Sequence, residues 1–220
     1  MSRKKSASSP AEVVREYGPF PGAPHVRGVS FDGNLVWFAG GESLRAFDPA
    51  SGTVVRTLDA LGDAGTAFDG RHLFQIAGGQ IHKIDPVTGE ILATLPAPGG
   101  GRDSGLAWGE GTLWVGQYPD RRIYQIDPDT GAILRTIESD RFVTGVTWAG
   151  GELWHGTWED GDSDIRQVDP GTGKVLTRLT MPKGLMVTGL ESDQGGLLYA
   201  GGGGSGKIRA IRRPRRRTGR

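Results

Sequence analysis

The sequence predicts an all-β propeller of five four-stranded blades, closed by its own N-terminal strand. Three observations carry that expectation. A turn phrase returns four times, as Phe47-Asp48-Pro49-Ala50-Ser51-Gly52, Ile84-Asp85-Pro86-Val87-Thr88-Gly89, Ile126-Asp127-Pro128-Asp129-Thr130-Gly131 and Val168-Asp169-Pro170-Gly171-Thr172-Gly173. Its four Asp residues stand 37, 42 and 42 positions apart, about the length of one propeller blade. Between the phrases lie short apolar alternating runs bounded by Gly and Asp, the pattern of half-buried strands.

The phrase itself is hairpin chemistry. The Asp carboxylate accepts backbone N–H bonds from residues two and three further on, Pro fixes φ at the next position, and Gly takes the left-handed conformation that re-enters the following strand. Repeat one then runs through Gly28–Gly33, Leu35–Phe38, Ser43–Phe47, the turn and 54–58. Repeats two, three and four follow the same order from Gly65, Gly105 and Gly145, each ending in a strand such as Ile133-Leu134-Arg135-Thr136-Ile137. Repeat five opens at Gly189 but stops after its third strand, Lys207–Ile211. The matching fourth strand stands at the other end of the chain, as Val13-Val14-Arg15-Glu16-Tyr17, with no turn phrase before it. A ring of sheets that failed to close would expose apolar faces and strand edges, so this orphan completes blade five and brings the count to twenty strands. Trp37, Trp114 and Trp154, and likewise Trp108 and Trp148, recur in register and are expected to pack blade against blade.

Length and composition fit one domain. The 220 residues are 36% hydrophobic and include 38 Gly, roughly twice the usual share. There is no Cys, which excludes a disulfide framework and thiolate metal ligation. The polar, basic start Met1–Pro10 lacks the apolar region of a signal peptide, and no apolar run approaches the ~18 residues of a membrane span, so a soluble, cytoplasmic, monomeric protein is expected. Residues 1–11 read as a disordered basic tail, 12–211 as the propeller and 212–220 as an Arg-rich tail. Arg3, Lys4, Lys5, Arg212, Arg213, Arg215, Arg216, Arg217 and Arg220 hold nine positive charges; against a net charge of +1 they leave the body between them at −8. Such tails are ordinarily solvated, and weak contact with nucleic acid or an acidic partner is the functional alternative.

The functional reading centres on the channel mouth opposite the Asp-Pro turns. The residues before the first-strand glycines, Arg27, Ala64, Ser104, Thr144 and Thr188, are expected to form one ring there. Those after the second-strand aromatics, Phe38, Gln75, Val115, His155 and Ala200, are expected to form another. His155 precedes the nonrepeating Trp158 and two acids, a setting for a general base or a ligand contact, although a hydrogen-bonded structural His fits equally. Arg27 is expected to hold an anionic group, Trp158 to stack, and Gln75, Gln117 and Thr144 to orient polar atoms, with Asp103, Tyr118 and Arg141 on the same face. Asp160, Asp162 and Asp164 alternate as calcium ligands do, but no bidentate Glu follows, and they read as a solvated acidic loop with no metal. Gly201–Lys207 fits the spacing of a phosphate loop, yet Ile208 follows where Ser or Thr and a helix are required. No cofactor is expected.

These repeats resemble the glutamine cyclotransferase-like five-bladed propellers, on Gly28-Val29-Ser30-Phe31-Asp32-Gly33, Leu113-Trp114 and Ile126–Gly131 and over residues 13 to 212. In style they are also similar to streptogramin lyase-like and quinoprotein-like repeats. The resemblance implies ring closure of N-terminal glutamine with release of ammonia. It implies an acid/base Glu directly after the second-strand aromatic of blade one, where this chain has Phe38, with Glu42 nearby, and a Gln at the matching place of blade two, here Gln75. The expectation is a binder of a small molecule or peptide, with an active enzyme using His155 and a pure interaction scaffold as alternatives.

Overall fold

A computed structural model describes residues 7–214, and it is all strand, turn and loop. No helix among the described residues is long and apolar enough to cross a membrane. Blade one is β3 (Val29–Phe31), β4 (Val36–Ala39), β5 (Leu44–Phe47) and β6 (Val54–Leu58). Blade two is β7 (Thr66–Phe68), β8 (Leu73–Ala77), β9 (Gln80–Ile84) and β10 (Ile91–Pro96). Blade three comprises β11 (Asp103–Gly109), β12 (Thr112–Gln117), β13 (Arg122–Ile126) and β14 (Ile133–Glu138). Blade four comprises β15 (Val143–Trp148), β16 (Leu153–Thr157), β17 (Asp164–Val168) and β18 (Val175–Thr180).

Blade five joins β19 (Leu190–Ser192), β20 (Leu197–Gly201) and β21 (Ile208–Arg212) to β2 (Val13–Tyr17), which pairs antiparallel with β21, Tyr17 opposite Ile208. The five-bladed closure read from the repeats is therefore the observed one. The Asp-Pro turns form as the side chains dictate. Asp127 Oδ1 accepts from the backbone of Asp129 and Thr130 at 3.0 and 2.8 Å, and Gly131 closes the turn at φ 74°.

The N-terminal segment departs from expectation. Ala7–Pro10 form a strand, β1, laid parallel on the outer edge of blade four, Ala7 beside Thr177 and Pro10 beside Thr180. The described strands thus number twenty-one and not twenty. All four side chains of β1 are exposed, so the strand carries no apolar alternation to betray it; what holds it is the row of unpaired backbone groups that an outer strand offers. The other end departs as well. Arg212 closes β21 and pairs with Glu12 at 2.9 Å, while Arg213 donates to Ala149 O at 2.8 Å. The expected tail residues Arg215, Arg216 and Arg217 lie outside the described residues.

Five apolar clusters fill the five junctions between blades. Trp37 packs between blades one and two, Phe74 with Val115 between two and three, and Trp114 between three and four. Trp154 packs between four and five, and Phe38 with Tyr17 and Tyr199 across the seam between five and one. Each such side chain, fully buried, contributes about 1.5–3 kcal/mol.

The inner strands meet around the axis through the first-strand glycines. A Cβ on Gly105 would stand 2.6 Å from Val146 N, and one on Gly189 2.7 Å from Val29 N. Gly28, Gly65 and Gly145 likewise abut the backbone of the next blade. The channel has an upper mouth, where the first strands begin, and a lower mouth at the turns between first and second strands.

Candidate ligand site at the upper mouth

The residues that precede the glycine ring surround the upper mouth. Arg27, Ala64, Ser104, Thr144 and Thr188, one from each blade, line a cavity of about 430 Å³. They share it with His25, Val26, Asp63, Asp103, Tyr118, Trp158, Met186 and Gly203. The first of the two expected rings is therefore in place.

Arg27 is exposed, donates to Asp63 O at 3.2 Å and forms no ion pair among the described residues. Asp103 is 7% exposed, and its two oxygens accept from Gly99 N at 2.9 and 3.1 Å. Burial lifts its carboxyl above the usual carboxylate range against the opposing pull of the Gly99 and Gly101 amides. Thr144 Oγ1 is buried without a hydrogen-bond partner among the described residues. Tyr118 stacks on Phe142 with ring centroids 4.8 Å apart, and Trp158 is half-buried, its backbone N–H donating to Phe142 O. The mouth thus offers the Arg27 guanidinium, the His25 imidazole, two carboxylates, hydroxyls and the rings of Tyr118 and Trp158.

The second expected ring is not at the mouth. Phe38, Gln75, Val115, His155 and Ala200 are all buried at 1% exposure or less. The reason is the period of two along a strand. The aromatic before each of them points into one blade junction, so the next residue points into the other. Gln75 donates to Ala64 O at 3.2 Å and Ile76 O at 2.8 Å and accepts from Thr66, which steadies a lining carbonyl from behind. Gln117 accepts from Tyr124 OH at 3.4 Å in the interior of blade three. His155 sits with Ile123, Ile137 and Val168 around a separate space of about 200 Å³ between blades three and four. Burial, and then the charge of Arg166, push its imidazole down to about 4, so it is neutral near pH 7. It lines this separate space and not the upper mouth. Glu42 is not among the lining residues either.

The fold here is that of a known enzyme. Glutaminyl cyclase from Myxococcus xanthus superposes with a TM-score of 0.76 at 18% identity, over 94% of this chain and 98% of the other. A chain of a mitotic checkpoint complex matches at TM-score 0.57 and 14% identity, over 98% of this chain and 100% of that one. One from Kuenenia stuttgartiensis hydrazine synthase matches at 0.51 and 15%, over 80% and 55%. The family model PQQ_2, described as "Outer membrane protein assembly factor BamB", matches residues 40–214. The chain belongs to this family. No curated protein sequence matches it.

Within this PQQ_2 propeller, blade four carries a charged cluster whose arrangement differs from the expected acidic loop. Asp164 opens β17, is 3% exposed, and accepts from Arg166 Nε at 2.7 Å and Thr157 Oγ1 at 2.6 Å. Burial opposes its charge, but Arg166, Thr157 and Arg141 outweigh that cost and hold its carboxyl below the usual range. Arg166, itself 1% exposed, also pairs with Asp140. Arg141 donates to Glu159 O and Asp162 O at 3.0 and 3.1 Å, which clamps the loop that follows Trp158. Asp160 and Asp162 are exposed. No group of three or more His, Asp or Glu among the described residues is placed to hold a metal ion.

His25, Asp63, Met186 and Gly203 were not foreseen at the mouth. They lie in connections that differ from repeat to repeat, so no periodic signal marks them. Only the ring geometry brings them beside Arg27.

Proposed function

We propose that the protein is a binding propeller whose upper mouth takes a small molecule or the end of a peptide. The observation that carries this reading is the convergence of Arg27, Thr144 and Trp158, from three different segments, on one cavity of about 430 Å³, a size suited to a small ligand. Arg27 holds an anionic group, Trp158 and Tyr118 flank an apolar or planar part, and Thr144 forms the wall beside them. Native mass spectrometry of freshly purified protein tests this. The expected result is added mass on the wild type that is lost from Trp158→Ala and Arg27→Ala. Added mass that persists in both variants, or wild-type protein at its bare mass throughout, overturns the reading.

A second reading is favoured by Asp103. It is a buried carboxyl with a raised pKa, at the mouth of a chain whose fold matches a glutaminyl cyclase. On that reading Asp103 moves the proton as N-terminal glutamine closes and ammonia leaves. Ammonia release from a Gln-initiated peptide, abolished by Asp103→Asn and retained by His155→Gln, is the expected outcome; no release above background removes the enzymatic reading.

A further inference from the structure

The lower end of the channel opens into a cavity of about 590 Å³ on the face of the Asp-Pro turns. Half-buried rings line it from four blades: Phe31, Phe68, Trp108 and Trp148. Trp108 stacks on Phe74 at 5.7 Å and Trp148 on Trp114 at 5.2 Å, which fixes both rings in place. Carboxylates stand among them, Asp32 from blade one, Asp69 from two, Glu110 from three and Asp193 from five, and no Lys or Arg is in the lining. Arg213 approaches the lining at Gly150, where a Cβ would stand 3.6 Å from its Nη1, and His72 Nδ1 lies 3.2 Å from Asp69 Oδ2.

Blade five breaks the repeat at this level. Counting from the first-strand glycine, four blades place a small residue (Ser30, Ala67, Ala107, Thr147) and then an aromatic. Blade five has Glu191 and then Ser192. Glu191 lines the cavity and is 8% exposed. Its Oε1 accepts from Thr147 Oγ1 at 2.6 Å and from Ser192 N at 2.7 Å, while Oε2 makes no hydrogen bond among the described residues. This carboxyl group replaces a packing residue: one oxygen ties blade five to Thr147 of blade four, and the other is left open.

We propose that the lower mouth is a second binding site, distinct from the upper one, for an organic cation whose ammonium group meets Glu191 Oε2 within the aromatic ring. Aromatic faces and carboxylates attract a desolvated ammonium together, and the absence of lining cations keeps the local field negative. Burial raises the Glu191 carboxyl to about 8, so near pH 7 the empty site holds a proton that an arriving cation displaces. The shared chemistry is an alkylammonium, which a small free amine or a lysine side chain supplies equally.

Titration calorimetry of the full chain with n-butylammonium chloride, a Lys-containing capped tripeptide and neutral n-butanol tests this. Saturable binding of the butylammonium or the peptide is expected, with no binding of butanol. Tighter binding of the amine assigns a free amine as the source, and tighter binding of the peptide a lysine side chain. Glu191→Gln, which keeps an oxygen for Thr147 and Ser192, is expected to weaken binding at least about tenfold, the loss for one charge-assisted hydrogen bond. Trp158→Ala should leave it unchanged, which separates this site from the upper mouth. Heats at pH 7 should differ between phosphate and MOPS buffers because a proton leaves. The Glu191 carboxyl 13C resonance, followed in the wild type, should shift on titration and guards against a misfolded variant. Equal binding of butanol, full affinity in Glu191→Gln, loss of binding in Trp158→Ala or an unmoved Glu191 resonance each overturns the proposal.

Discussion

Gly189 abuts Val29 across the seam where the last blade meets the first: a Cβ on Gly189 would lie 2.7 Å from Val29 N and 2.8 Å from Arg27 O. The obstacle is backbone on the far side, so no side chain can swing aside to admit one. The contact also holds Arg27 at the mouth, because Arg27 and Val29 flank Gly28 in the same tier. Gly189→Val is expected to destabilise the protein by about 3 kcal/mol, the upper end for overpacking a filled interior. Gly171→Ala, in an Asp-Pro turn where the nearest neighbour is the Asp169 carboxylate at 3.3 Å, should cost far less. Thermal denaturation of the two variants side by side checks the contrast, and equal midpoints would remove the glycine ring as a determinant of closure.

The two N-terminal strands are expected to differ in weight. Tyr17 of β2 is buried against Phe47 at 4.7 Å and Tyr199 at 6.3 Å, and Arg15 reaches over the seam to Pro49 O at 2.9 Å. β1 contributes backbone pairing alone. A chain starting at residue 11 should stay folded, with its oligomeric state unchanged and a modest loss in melting temperature. A chain starting at residue 19 should unfold or aggregate, since blade five would lack its outer strand. Size-exclusion chromatography with circular dichroism distinguishes them.

Two buried groups give stability opposite dependences on pH. Glu191 is raised from 4.5 to about 8, so the folded state keeps a proton that the unfolded chain releases. The stability this group contributes is present in full below pH 4.5 and is lost as pH rises toward 8. His155 is lowered from 6.5 to about 4, so its contribution is present above pH 6.5 and is lost as pH falls toward 4. Melting temperatures between pH 4 and 9 should therefore fall less on the alkaline side in Glu191→Gln and less on the acid side in His155→Gln. Curves parallel to the wild type would mean that neither group holds its assigned protonation state.

The blade pattern was legible because each element advertises itself locally. Asp-Pro-x-Thr-Gly dictates a turn through its own side chains, and alternation dictates which face of a strand is apolar. The orphan strand 13–17 was legible too, by its likeness to the strands after each turn. β1 was not, since a strand that pairs through backbone groups alone needs no particular sequence.

The sequence by itself determined the number of blades, the closing strand and the level at which Arg27, Thr144 and their counterparts stand, because these follow from repeat register. Only the tertiary structure decided which way each side chain points and what it meets. His155 is one residue from Trp154 and so faces the opposite junction, away from the mouth, whereas Glu191 reaches the lower cavity and finds Thr147 in the neighbouring blade. Such partners lie about forty residues apart, and only closure of the ring brings them within hydrogen-bonding distance.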